Sequence, residues 1–353
     1  MILLVTGCAG FIGSNFVQFY LDQNPKCKII GLDKLTYAGN LENLAPAQHK
    51  GKERFIFVRG DIGNQELVEH LFALYDIDVV INFAAESHVD RSIDNPQVFL
   101  QTNLLGTQNL LEVARKSWIQ EGKPLQSKKF IQISTDEVYG SLGPQGEFSE
   151  ESPLSPRSPY AASKAAADLL AFSYWVTYSL PVVITRSCNN YGPYQFPEKL
   201  IPFMIWNALQ HQDLPIYGDG RQVRDWIYVL DHCRALAMVI EKGKPGEIYN
   251  IGAREERENL EVVHKILEIL REKTGDPSIN EKLIRHVKDR PGHDRRYALN
   301  VNKIEKELGW KKEVPFEEGL GKTVEWYLEN RQWLERVISG EYLDFYRKWY
   351  QER

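Results

Sequence analysis

The first half of the chain alternates short apolar, β-branched runs with longer stretches whose apolar residues recur at helical spacing. Residues 2–5, 28–32, 55–58, 79–83, 130–134 and 182–186 read as strands, and 13–21, 65–74, 98–118 and 161–178 as helices. Apolar strands alternating with helices predict a parallel sheet covered on both faces, the Rossmann-type doubly wound fold of the α/β class. Beyond about residue 190 the rhythm changes. Strands at 215–217, 247–250 and 283–287 mix with helices at 201–210, 229–241 and 260–271, which predicts a smaller mixed α/β C-terminal lobe. The expected division is 1–190 and 191–353, with some chain crossing back. The Gly/Pro/Ser-rich stretch 141–159 is embedded between elements and is expected to border a site rather than to link domains. Near the C-terminus Tyr342, Phe345, Tyr346, Trp349 and Tyr350 recur at helical spacing and predict a helix laid on the smaller lobe.

Composition narrows the picture. The 353 residues are 43% hydrophobic and 26% charged, enough for two cores. A net charge of −5 argues against nucleic acid as the main partner, so any phosphorylated ligand must be held by local cations. The four cysteines, Cys8, Cys27, Cys188 and Cys233, are widely spread, with no Cys-x-x-Cys pair and no His cluster at ligand spacing. Neither a disulfide framework nor a metal site is expected. The chain opens on a strand pattern without a basic leader and holds no apolar run of membrane-span length. The expectation is a soluble cytoplasmic protein with no membrane partner.

Chemistry enters at the first strand end. Gly7, Gly10 and Gly13, with Phe11 and Ile12 between the last two, follow a strand and open a helix. Such glycines let backbone N–H groups approach a pyrophosphate at the positive end of the helix. Asp33 ends the second strand, where a carboxylate accepts from an adenosine ribose and repels a 2′-phosphate, which favours NAD over NADP. Lys34 beside it is the one feature that would suit a phosphate. Asp61 and Ile62, after the third strand, are placed to meet the adenine, although an ordinary turn fits them equally well.

Tyr160 and Lys164 stand four apart at the start of a helix introduced by Ser158 and Pro159, so they share one face. A phenol titrating near pH ~10 needs roughly 4 kcal/mol to act as a base near neutrality. A cation at ~4 Å in an effective dielectric of ~20 supplies about that much. On this arithmetic Lys164 suffices, and an oxidised nicotinamide would add to it. Upstream, Thr135, Asp136 and Glu137 close the fifth strand with a hydroxyl and two carboxyls. Taken alone, a Tyr/Lys pair fits a surface helix and an Asp-Glu pair fits a solvated turn; together, behind a glycine loop, they place a proton donor, a proton acceptor and a hydride site side by side.

The Tyr-x-x-x-Lys motif with its preceding hydroxyl resembles the extended short-chain dehydrogenase/reductase superfamily. Stretches 32–40, 84–92, 134–140, 189–200 and 289–297 are similar, within it, to the dTDP-glucose 4,6-dehydratase family, the Thr135-Asp136-Glu137 triplet being the most discriminating. That resemblance implies further NAD contacts from Leu35, Thr36, Ala84, Ala85, Ser87, Thr102 and Asn190, beside Tyr160 and Lys164. For a dTDP-glucose substrate it implies His88 and Thr135 at the sugar, and Lys199 and Arg224 with Asn189 and Asn259 at the diphosphate. Pro215, Ile216 and Tyr217 would meet the base, Leu200 would follow Lys199, and Asp289, Arg290, Pro291, Gly292, His293 and Tyr297 would close the other side.

The implied reaction begins with Tyr160 taking the 4-hydroxyl proton while hydride leaves C4 for NAD, Thr135 polarising the new carbonyl. Glu137 then takes the C5 proton, protonated Asp136 donates to the departing 6-hydroxyl, and hydride returns to C6. A homodimer through four helices, 98–118 and 161–178 from each copy, is also implied. Two departures stand out: Cys8 in place of the usual glycine, and the charged stretch 253–258 before Asn259. A nucleotide-sugar 4-epimerase shares the cofactor, Tyr160 and Lys164, but needs no acid and base at C5 and C6. A non-catalytic NAD sensor would be expected to lack Tyr160, Lys164 or the acid pair.

Overall fold

The computed structural model describes residues 1–122 and 125–338. The aromatic stretch expected to form a C-terminal helix, 339–353, lies outside them. Seven parallel strands make the large sheet: β1 (Ile2–Thr6), β2 (Lys28–Asp33), β3 (Phe55–Arg59), β4 (Val79–Asn82), β5 (Lys129–Thr135), β6 (Val182–Ser187) and a strand from far along the chain, Ile248–Ile251. Their spatial order runs from Ile248–Ile251 through β6, β5, β4, β1 and β2 to β3. The order reverses beside β1, and in a doubly wound sheet ligands settle in the crevice at the carboxyl ends of the strands there. Leu3, Leu4, Val5, Ile29, Ile30, Val80, Ile81 and Ile131 are all fully buried, which is why these strands read as apolar runs rather than alternating ones. The predicted helix 98–118 is one continuous helical run from Pro96 to Gln120, winding as π-helix over Leu100–Gly106 and Lys116–Gln120.

The chain beyond residue 190 does cross back, and it does so with a strand that the sequence reading had grouped with the smaller lobe. The strand expected at 247–250 joins the edge of the large sheet, with Ile248 opposite Ile184, and helix Val229–Lys242 packs on helix Phe11–Gln23. Their apolar residues, Leu236, Val239, Tyr249 and Ile251, belong to the same core as β1.

The second lobe holds β7 (Asn189–Tyr191), β8 (Leu214–Tyr217), β9 (Val223–Tyr228), β11 (Glu256–Glu258) and β12 (Ile284–Val287), with Ile248–Ile251 counted as β10. β9 lies between β11 and β7, while β12 pairs with β8. Helix Asn259–Thr274 shows how the lobe closes: Val262, Val263, Ile266, Leu267 and Leu270 fall on one face and are buried. At roughly 2 kcal/mol per buried side chain that face outweighs the polar remainder. The helix stops at Gly275, whose φ of +70° a side chain would resist. Among the described residues no helix is long and apolar enough to cross a membrane.

Candidate active site

A cavity of about 300 Å³ opens at the carboxyl ends of the sheet strands. Gly7, Gly10, Phe11, Ile12 and Gly13 line it at one end, and Tyr160 and Lys164 at the other. The glycine loop is closely wound. A Cβ on Gly13 would stand 2.2 Å from the Gly7 carbonyl oxygen, and one on Gly7 would meet the Ala84 backbone nitrogen at 2.7 Å. Gly10 meets only that carbonyl, at 3.3 Å, so its cavity side stays open for a pyrophosphate.

The Asp33 oxygens accept from the backbone N–H groups of Ala9 and Leu35, each at 2.8 Å. Each oxygen keeps a lone pair for a ribose hydroxyl. Lys34 does not weaken the preference against a 2′-phosphate, because its ammonium pairs with Asp61 at 2.7 Å. Thr36, Ile62, Ala84, Ala85, Ser87, Thr102 and Asn190 also line the cavity, whereas Leu35 does not and contributes through its N–H to Asp33. These residues fit a dinucleotide with a free 2′-hydroxyl.

β5 delivers the Thr135-Asp136-Glu137 triplet. Thr135 ends the strand and caps the following turn, accepting from Glu137 N–H at 3.3 Å and donating to Asp136 Oδ1 at 3.1 Å. Asp136 is 1% exposed, and its Oδ2 has no hydrogen-bond partner. Burial, then the charge of Glu137, hold the Asp136 carboxyl well above the usual range. Burial raises Glu137 as well, but Arg290, Arg224 and Lys199 oppose the rise. The two neighbouring carboxyls therefore have unlike surroundings, one sealed and the other faced by cations.

Ser158 accepts from Ala161 N–H at 3.1 Å and Pro159 occupies the first turn, so helix Pro159–Tyr178 starts where Tyr160 can face β5. Burial pushes the Tyr160 phenol upward, Glu137 and Asp136 push it further, and a hydrogen bond with Thr135 opposes them. Lys164 lines the cavity together with Tyr160. Its ammonium donates to the Ile133 carbonyl at 2.5 Å, and burial lowers it to about 8 with Asp168 opposing.

Of the residues expected at the substrate, Thr135, Asn189 and Lys199 line the cavity. Among the others, Arg224 and Arg290 act on Glu137 as neighbouring charges. Arg224, on β9, donates to the carbonyls of Val223 and Asp294 and lies 4.4 Å over the Tyr297 ring, whose hydroxyl donates to Asp294. Arg290 donates to Asp90 at 3.2 Å, and Tyr217 donates to the same carboxylate at 3.0 Å. His293 bonds Asp289 at 2.6 Å, while His88 is buried and lowered to about 3, first by burial and then by Lys199, so it is neutral. Pro215 and Ile216 are buried, Ile216 within the second lobe's core, which leaves Tyr217 as the partly exposed residue of that strand. Leu200 and Asn259 begin helices; Pro291 and Gly292 are exposed on the loop opposite Arg157.

The sequence reading missed several cavity residues, among them Ala38, Gly39, Glu86, Gln195, Phe196 and Glu198. Adjacency was the available signal, since Glu198 precedes Lys199 and Glu86 precedes Ser87.

The chain is similar to known proteins over nearly its whole length. The family described as GDP-mannose 4,6 dehydratase matches residues 4–323. A dTDP-glucose 4,6-dehydratase of Xanthomonas campestris pv. campestris is 50% identical over 344 residues, 96% of each chain, and one of Salmonella typhimurium is 48% identical over the full length of both. The Streptomyces venezuelae dTDP-glucose 4,6-dehydratase, solved with NAD bound, superposes with a TM-score of 0.88 at 49% identity, covering 96% of this chain and 100% of that one. A UDP-glucose 4-epimerase of Thermotoga maritima shares the fold at a TM-score of 0.82 but is 30% identical, covering 94% of this chain and 100% of that one. By family pattern, end-to-end relatives and fold together, the chain belongs to the GDP-mannose 4,6-dehydratase family.

Proposed function

We infer that the chain converts dTDP-D-glucose to dTDP-4-keto-6-deoxy-D-glucose and water, with NAD as its bound cofactor. The observation that carries the reading is the Asp136–Glu137 pair at the end of β5, one carboxyl sealed and the other faced by three cations, beside Tyr160. The chemistry NAD supplies when bound is a reversible store for one hydride. Around it, Tyr160 removes the 4-hydroxyl proton, and Thr135, bonded to both Tyr160 and Asp136, orients the oxygen. Once C4 is a ketone the C5 hydrogen is acidic; Glu137 takes it while Asp136 protonates the departing 6-hydroxyl. Glu137, after exchanging its proton with solvent, then protonates C5 again. Arg224, Arg290 and Lys199 suit the roughly two negative charges of a nucleoside diphosphate. A 4-epimerase requires no such acid pair.

Incubation with a panel of nucleotide-glucoses in deuterated water tests the reading. The dTDP sugar should lose one water and carry deuterium at C5; epimerised product of unchanged mass would overturn it.

A homodimer belongs to the same proposal. Leu105, Leu169, Phe172 and Val176 are exposed at 58%, 61%, 41% and 66% on the two helical runs expected to pair, forming an apolar face unusual for a monomer. A cytoplasmic location is proposed with it, supported by four cysteines that are buried and free.

A further inference from the structure

Two walls of the cavity are tied together by a bridge for which the reaction steps above have no use. Glu198, 6% exposed, stands just before helix Leu200–Leu209 and lines the cavity. Its Oε1 accepts from the Tyr37 hydroxyl at 3.0 Å and its Oε2 from Arg91 Nε at 3.0 Å. The Arg91 guanidinium lies 3.8 Å from the centre of the Tyr37 ring, so the three groups close a triangle. Each comes from a different segment: Tyr37 from the loop after β2, Arg91 from helix Val89–Asp94 beyond β4, and Glu198 from the loop after β7.

Two further contacts run beside the triangle. Phe196 meets Tyr37 edge-on with centroids 5.5 Å apart, and Lys199 Nζ donates to the Ser87 carbonyl at 2.7 Å. Burial, reinforced by the Glu198 charge, raises the Tyr37 phenol well above its ordinary value, so it stays a donor.

The position gives the bridge a consequence. Lys34, Thr36, Ala38 and Gly39 line the cavity on the Tyr37 side, and Phe196, Glu198 and Lys199 line it on the other. A dinucleotide reaching from Asp33 to Tyr160 would run between these walls and would leave where they part. Buried charge-assisted bonds strengthen in a dry setting, so a closed bridge resists that parting.

We propose that Tyr37, Arg91 and Glu198 form a strap that retains the dinucleotide between the steps of one turnover, acting on its escape rather than on bond making. The proposal rests on the function inferred above, because a cofactor restored within a single turnover is useful only if it stays. They are positioning residues.

The test measures release directly and needs no sugar, so its outcome is separate from that of the function. Wild type, Tyr37→Phe and Glu198→Gln are loaded with labelled NAD, chased with excess unlabelled NAD, and the label retained is followed over time. Tyr37→Phe, which removes one oxygen and keeps the ring, should release label at least about tenfold faster, a loss of one buried bond. Glu198→Gln, which weakens two contacts, should release it faster still. Thermal unfolding of the apoproteins separates escape from collapse. Release at the wild-type rate in Tyr37→Phe overturns the strap, as does acceleration that merely tracks a lowered apoprotein melting temperature.

Discussion

Thr135 donates to one oxygen of Asp136 at 3.1 Å, while the other oxygen is buried with no partner in the protein. A sealed carboxyl with one free oxygen suits an acid that hands its proton to a substrate hydroxyl. Asp136→Asn keeps the shape and loses the acid. Elimination should fall by about 10²- to 10⁴-fold, the usual worth of a general acid. Oxidation at C4 should survive, so nicotinamide absorbance should rise and persist in a single turnover. If absorbance never rises, Asp136 also serves the first step and the division of labour is wrong.

Tyr160 lies upstream of both steps, so Tyr160→Phe should abolish oxidation and elimination together. Its phenol is pushed up by burial and then by Glu137 and Asp136, so the oxidation rate should climb with pH as the phenolate fraction grows. Removing the larger neighbouring charge with Glu137→Gln lowers the phenol's pKa. The rise in single-turnover oxidation should therefore move to lower pH in that variant. A rise at unchanged or higher pH would show that the Glu137 charge is not felt at Tyr160.

Gly13→Ala tests the cofactor loop. The added methyl would stand 2.2 Å from the Gly7 carbonyl oxygen, a backbone atom that cannot swing aside. The loop must shift, at about 1–3 kcal/mol for overpacking of this kind. Calorimetry should show weaker NAD binding by at least about tenfold, with a lowered melting temperature. Unaltered affinity would mean that the pyrophosphate does not use this loop.

The exposed apolar face makes a separate demand. Leu169 and Val176 are more than half exposed on helix Pro159–Tyr178, and Leu105 stands exposed on the neighbouring helical run. Placing a charge there with Leu169→Glu should shift sedimentation from dimer to monomer, weakening association by on the order of a hundredfold. A variant that sediments as wild type would place the interface elsewhere.

Legibility differed between the two lobes for a physical reason. The large sheet was readable because its strands are buried on both faces, so Leu3, Ile30 and Val80 declare themselves by composition alone. β9 was not readable. Arg224 and Asp225 interrupt its apolar run, and both are buried because one donates to the Asp294 carbonyl and the other accepts from the Ala253 and Glu255 N–H groups. Some crossing back was expected, but that β10 makes it escaped for another reason, since a four-residue apolar strand carries no record of which neighbour it will pair with. At the site, the triplet and the Tyr/Lys pair were visible as motifs. The first partner of Lys164 was not, because a bond to the Ile133 carbonyl is a backbone contact that side-chain spacing cannot reveal.

His232 supplies a prediction about acid stability that is independent of catalysis. The ring is fully buried, bonds Asn190 Oδ1 through Nδ1 at 2.8 Å, and leaves Nε2 without a partner. Burial alone lowers it from 6.5 to about 3, so the folded protein holds it neutral. The unfolded chain takes up a proton below its ordinary value, whereas the folded chain does so only near the lowered one. Stability from this group is therefore present above about pH 6.5 and lost as pH falls toward about 3, by at most about 5 kcal/mol. His88 and His293 are pushed the same way, so the wild type should lose stability more steeply than one proton predicts. His232→Gln removes one titrating site. Urea unfolding across the acid range should give a slope shallower by about 1.4 kcal/mol per pH unit than wild type, whatever the variant loses in absolute stability. Parallel slopes would mean that His232 is protonated in the folded state, with its Nε2 donating to a group that the folded chain exposes to it.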